Sequence, residues 1–111
     1  MKIRRRYTCP LEIVHDFLRG KWKTIILYQL KHGPKSLTEL EKCIVGINQK
    51  MLIQDLADLI EFQVVNKIKY EGYPLKVEYS LTAERGQKII EAINILQSIG
   101  KEYMNENGMK I

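Results

Sequence analysis

The stretch from Ser36 to Phe62 constrains this chain more than any other, because it places two sets of helix signals around one glycine turn. Ser36 and Glu39 form the pair of a capping box, in which the hydroxyl accepts a first-turn N–H and the carboxylate accepts the cap's own N–H. A short helix starts there, with Leu37, Leu40 and Ile44 on one face, and stops at Gly46, which permits a sharp turn. Asn48 caps a second helix whose Leu52, Leu56 and Leu59, joined by Met51 and Ile60, repeat at the spacing of an inward stripe. Its outward face near the start carries Gln49, Lys50, Ile53, Gln54 and Ala57, groups able to read base edges and touch a phosphate. Two helices joined by a short glycine-containing turn, the second with such a face, is the helix-turn-helix pattern.

The flanking segments supply the rest of a core. Pro10 suits the first turn of a helix with Leu11, Val14, Phe17 and Leu18 on one apolar side, broken at Gly20. Lys21-Trp22-Lys23 opens a second helix with Trp22, Ile25, Ile26, Leu27 and Leu30 inward, ended by His32-Gly33-Pro34. Beyond Phe62, the runs Val64–Tyr70 and Lys76–Leu81 are rich in β-branched and aromatic residues and flank Glu71-Gly72-Tyr73-Pro74, so they read as a hairpin. Lys67, Lys69 and Lys76 lie along its arms, placed either to reach phosphates or to guard edge strands against aggregation. Thr82 is the expected cap of a last helix on which Ile89, Ile93, Leu96, Ile99 and Tyr103 form an apolar stripe. That stripe is wider than so small a domain needs, and part of it is read as a dimer seam.

At 111 residues and 45% hydrophobic content the chain has room for one domain and one core. Its 18 Lys+Arg against 13 Asp+Glu give a net charge of +5, which favours polyanionic partners without choosing among them. The excess is lopsided, for Lys2, Arg4, Arg5 and Arg6 all lie at the start. Residues 1–8 thus form a basic arm, either a DNA contact or a solvated tail, residues 9–104 the domain, and 105–111 a flexible tail. No apolar run suits a membrane span or a secretory signal, and Cys9 and Cys43 are too far apart for a CxxC pair. A cytoplasmic protein with free thiols is expected.

Helix-turn-helix followed by a two-stranded ribbon makes a winged helix, mainly α with a small β-hairpin wing. Cys9-Pro10-Leu11-Glu12, Gly20-Lys21-Trp22-Lys23, Ile26-Leu27, Leu37-Thr38-Glu39-Leu40, Gly46 to Leu52 and Val77 to Thr82 give it a closer match. In order and near spacing they resemble the HxlR-type transcriptional regulators, a branch close to the MarR-like winged helices. The resemblance runs from Cys9 to about Ile99, and implies a homodimeric DNA-binding regulator that pairs through its terminal helices. Ser36 and Ala57 stand where relatives commonly carry Arg, Asn48 where they carry Ser, and Phe62-Gln63 where they end the helix with an acidic residue and Gly. Gln63 must therefore manage a turn that glycine makes more easily. The step from Thr82 to Gly86 is one residue longer than usual in the family.

Relatives often sense oxidants or electrophiles through a cysteine where Cys9 stands, and a helix N-terminus beside Arg4, Arg5 and Arg6 would favour its thiolate. The alternative is an inert thiol, as is expected of Cys43, sheltered in or near the core. Cys9, His15 and Asp16 have the residue types of a thiol hydrolase but lie on one short helix without a glycine-rich oxyanion loop, so no enzyme is expected. Cys9, His15, His32 and Cys43 lack ligand-pair spacing, so no metal and no cofactor is expected either. The expected function is transcription regulation on double-stranded DNA, with an inverted-repeat operator and room for a small-molecule effector. Gln49, Lys50, Ile53 and Gln54 would read the major groove, with Ser36, Asn48, Lys67, Lys69, Lys76 and the arm on phosphates. The competing reading is a winged-helix module that binds protein, supported by Asp55, Asp58 and Glu61 on the same helix.

Overall fold

The computed structural model describes residues 3–111; Lys2, counted in the basic arm, lies outside the described residues. The elements run α1 (Pro10–Leu18), α2 (Lys23–Gln29) continued by a 3-10 turn (Leu30–His32), α3 (Leu37–Cys43), α4 (Gln49–Glu61), β1 (Val65–Tyr70), β2 (Lys76–Leu81) and α5 (Arg85–Glu106). The strands pair antiparallel from Val65 opposite Leu81 to Tyr70 opposite Lys76. Lys35 adds a one-residue third edge, its N–H donating to the Tyr79 carbonyl at 2.9 Å and its carbonyl accepting from the Tyr79 N–H at 2.8 Å.

The core lies where α2, α3, α4, the ribbon and the first half of α5 meet. Ile26, Leu27, Leu40, Leu52, Leu59 and Val64 are wholly buried there, and Leu56, Val65, Tyr79, Ile90 and Ile93 complete it. Each such side chain contributes about 1.5–3 kcal/mol relative to exposure. Three residues expected inward are not: Leu11 is 74% exposed, and Ile25 and Met51 are also exposed, whereas Trp22, half-buried, packs against the core. A helix period assigns a face, but neighbours decide how wide that face is. Where α1 does pack, Phe17 stacks on Phe62 with ring centroids 4.3 Å apart.

The helix ends follow local chemistry. Ser36 Oγ accepts from the Glu39 N–H at 3.2 Å while Glu39 Oε1 accepts from the Ser36 N–H at 3.0 Å, closing the capping box. Asn48 Oδ1 accepts from the Met51 N–H at 2.8 Å. Gly46, at φ +92, faces the Trp22 ring at a distance that leaves only van der Waals room for a Cβ. Gln63 takes φ +65, and the Gln63 and Val64 N–H groups donate to the Ile60 and Leu59 carbonyls, a Schellman closure made without glycine. Arg85 steadies it by donating to Gln63 Oε1 at 2.9 Å.

Two boundaries are corrected. Thr82 is not the cap of the last helix, which begins at Arg85; its hydroxyl instead donates to the Gln63 carbonyl at 2.9 Å and accepts from the Gly86 N–H at 2.6 Å. The tail expected from residue 105 starts later, since α5 runs to Glu106 and closes through Gly108 and Met109 N–H bonds to the Asn105 and Met104 carbonyls. Sequence polarity at Asn105-Glu106-Asn107 reads as fraying, whereas the carbonyls behind it find donors.

Gly86 is where α5 crosses the end of the ribbon, and a Cβ there would meet the Val64 carbonyl oxygen at 2.6 Å. Gly86→Ala is expected to destabilise the fold by about 2 kcal/mol, as overpacking against backbone does. Urea unfolding checks it, and an unchanged midpoint would show that α5 can shift away.

Candidate nucleic-acid interface

α4 presents Gln49, Lys50, Ile53, Gln54 and Ala57 to solvent, all of them exposed. Its first turn holds no carboxylate, so its free N–H groups keep the positive end of the helix dipole open to an anion. Asn48 spends Oδ1 on the cap and has its side-chain amide N–H groups to offer a phosphate.

The carboxylates of the same helix point elsewhere. Asp55 and Asp58 are buried against α2, where Lys23 Nζ lies 2.9 Å from Asp58 Oδ2. Burial pushes the Asp55 carboxyl above the ordinary carboxylate range, an effect that Lys23 offsets in part and Asp58 reinforces. Only Glu61 remains exposed, so two of the three acidic residues that supported a protein-binding face are absent from it. Lys23 was assigned no role from the sequence, because a lysine beside a tryptophan at a helix start reads as solvated.

The wing cations divide between two faces. Lys67 and Lys69 share a face with Tyr79 and Val77 across the ribbon, whereas Lys76 stands opposite Tyr70 on the other. Lys76 Nζ sits 5.1 Å from the Tyr70 ring centroid and 3.9 Å from Glu78 Oε2. Lys35, not singled out from the sequence, joins Lys76 near the start of α3, where both charges help lower the Glu39 carboxyl, itself held down chiefly by its bonds from Ser36. Ser36 is half-buried, with its hydroxyl used by the cap.

The arm is not a loose tail over residues 4–8. Asp16, 8% exposed, accepts from Arg4 Nε at 2.9 Å, the Tyr7 hydroxyl at 3.0 Å and Arg19 at 3.0 Å. Glu12 accepts from the Cys9 N–H at 2.8 Å, from Thr8 and from Arg4 at 3.2 Å. Arg4 is therefore occupied within the protein, while Arg5 and Arg6 remain exposed. Asp16 is engaged by these three donors rather than by His15. Cys9 and Cys43 are free and exposed, the latter contrary to the sheltered position expected for it. Among the described residues, no group of three or more His, Cys, Asp and Glu is placed to hold a metal ion, and no helix is long and apolar enough to cross a membrane.

On α5 the stripe splits. Ile93, expected on the seam, is 4% exposed and belongs to the protomer's own core, and Ile89 packs half-buried beside it. Leu96, Ile99 and Tyr103 stay exposed, joined by Ile95, which the stripe had not included.

A capped two-helix turn, an open helix face and a flanking ribbon define a winged helix-turn-helix protein, a DNA-binding class. Comparison with known proteins makes the family specific: residues 17–108 match the HxlR-like helix-turn-helix family, and the chain belongs to it. It is thus a DNA-binding transcription regulator by family, not an enzyme. It is 37% identical over 102 residues to the HTH-type transcriptional regulator YkvN of Bacillus subtilis, covering 92% of this chain and 86% of that protein. The structure of the HTH-type regulator ytcD superposes with a TM-score of 0.81 at 37% identity, over 88% of this chain and 99% of that one. The redox regulator HypR in its reduced form gives 0.79 at 33% identity, over 85% and 92%.

Hydrogen bonds from Arg4 hold the Asp16 carboxyl below its usual range, and those from Thr8 and Cys9 do the same for Glu12. A depressed carboxyl stabilises the clasp fully above the unfolded value and loses that contribution as pH falls through the folded one. Nitrogen-15 relaxation of residues 4–8 is expected to pass from rigid to mobile across that acid window, and Asp16→Asn to give the mobile values at neutral pH. Rigid values in that variant would show that other contacts hold the arm.

Proposed function

We propose that the protein is a homodimeric, sequence-specific regulator acting in the cytoplasm on an inverted-repeat operator. The observation that carries this reading is the outward face of the first half of α4, free of carboxylates because Asp55 and Asp58 are buried toward Lys23. Gln49, Lys50, Ile53 and Gln54 enter the major groove, and Asn48, Lys67, Lys69, Lys76, Arg5 and Arg6 meet phosphates. Ile95, Leu96, Ile99 and Tyr103 pair the protomers, so that half-sites fall about one helical turn apart or a multiple of it.

Cys9 gives the regulator a thiol response. Its side chain is exposed at the head of α1, and its own amide is part of the Glu12 clasp, so an adduct there disturbs the segment that ties the arm down. Likeness to a protein described as a redox regulator supports the same reading.

Mobility shift with the upstream DNA of its own gene tests the first part. Binding is expected to weaken steeply with salt, Gln54→Ala to relax sequence preference by about 1–3 kcal/mol, and Lys69→Ala to weaken all duplexes alike. Ile99→Asp is expected to yield monomers in sedimentation and to lose the operator. Salt-independent binding, or retention of protein partners only, contradicts the reading. For the thiol, diamide is expected to change operator binding of the wild type and leave Cys9→Ser unaffected; an equal response in both removes Cys9.

A further inference from the structure

The tip of the ribbon carries two side chains that neither its turn nor the core requires. A tight turn asks for Gly72 and Pro74, yet Tyr73 and Leu75 stand beside them, and every residue from Glu71 to Leu75 is exposed. Tyr73 is exposed over its whole side chain and Leu75 over 66% of its surface. Among the described residues, no hydrogen bond or ring contact engages the Tyr73 side chain. Tyr70, at the base of the same turn, shows what the fold does with an aromatic it uses: Lys76 Nζ lies 5.1 Å from its ring centroid, and its hydroxyl bonds Glu78.

From Glu71 to Leu75 the tip has no cation, and Glu71 repels phosphate, so what it offers a duplex is apolar surface. Just behind it, Lys69 and Lys76 project from opposite faces of the ribbon, Lys69 beside Val77 and Lys76 beside Tyr70, as the two phosphate walls of a groove require. Lys76 keeps 64% of its side chain exposed despite its contacts with Tyr70 and Glu78. The six residues of β1 carry the tip roughly 20 Å beyond Val65. That reach is comparable to the half-turn of duplex separating a major groove from the next minor groove.

We propose that the wing tip is an apolar wedge for the minor groove beside each half-site, with Tyr73 stacked on a base pair at a step it opens and Leu75 filling the space behind the ring. The inference rests on the DNA reading of α4, and adds to it a point of selection that makes no hydrogen bond to a base. Lys69 and Lys76 hold the two backbones while the ring enters, and the opened step bends the duplex. Selection follows from the cost of opening. Pyrimidine–purine steps unstack readily and stiff A-tracts do not, so the flanking step is chosen by its deformability.

The experiment uses duplexes from the protein's own upstream region with 2-aminopurine at successive flanking positions, and end labels that report bending by energy transfer. On binding, fluorescence at one flanking step is expected to rise severalfold and the duplex to bend. Tyr73→Ala is expected to lose both signals and about tenfold in affinity, and Tyr73→Phe to keep them. Lys69→Ala is expected to keep the fluorescence rise while its binding becomes less steep in salt. An A-tract in place of the opened step is expected to weaken the wild type and leave Tyr73→Ala unaffected. Because Tyr73 rests on no other side chain, the unfolding midpoint and the sedimentation of Tyr73→Ala are expected to match the wild type. A bound duplex with no rise at any flank, or an equal rise in Tyr73→Ala, overturns the wedge. A lowered midpoint or a smaller sedimenting species in that variant overturns it too, by giving the ring to the fold or to a second copy. Failure to bind any duplex overturns the DNA reading of α4 instead, and the wedge with it.

Discussion

A reading helix must be fixed on one side and open on the other, and in this protein both conditions are met along the line where α4 meets α2. Leu52, Leu56 and Leu59 bury against a core that includes Ile26 and Leu27, which supplies most of the attraction but little direction. The Lys23–Asp58 pair is directional, a 2.9 Å contact between two buried side chains that ties one face of α4 to α2. A buried ion pair adds little net stability, yet removing one partner costs about 3–5 kcal/mol. Its consequence is orientation: Asp55 and Asp58 are drawn inward, and the Gln49–Gln54 side is left free of them.

The two ends of the chain show the same economy of surface. α5 spends Ile90 and Ile93 on the protomer and keeps Ile95, Leu96, Ile99 and Tyr103 exposed, so one helix serves the core first and leaves its apolar side uncovered later along its length. At the other end Asp16 gathers Arg4, Tyr7 and Arg19 into a small network that ties the arm to α1. The charge excess read from composition is thereby divided, with Arg4 paired to Glu12 and Asp16 and Arg5 and Arg6 left outward. Cys9 stands between the arm and α1, with its N–H donating to Glu12.

Features whose cause is local were legible in the residues. The Ser36–Glu39 box, the Asn48 cap, the Gly46 turn and the hairpin arms each depend on side chains within a few positions of one another, and each is found where it was read. The turn at Gln63, where φ is positive, was legible only through the family resemblance, as a residue other than glycine where relatives end the helix with glycine. Features set by distant neighbours were misplaced. Thr82 looks like a cap until Gln63 and Gly86 are seen on either side of its hydroxyl, and Ile93 looks like a seam residue until the core claims it.

By itself, then, the sequence determined the elements, their order and the family, because capping, periodicity and turn chemistry act over a few residues and leave a readable pattern. Only the tertiary structure decided which charges face water. Lys23, Asp55, Asp58 and Asp16 are ordinary surface types in a list of letters, and their burial follows from how α2 meets α4 and how the arm folds onto α1. Electrostatic roles depend on distances through space and on the exclusion of water, and neither is a property of position along a chain.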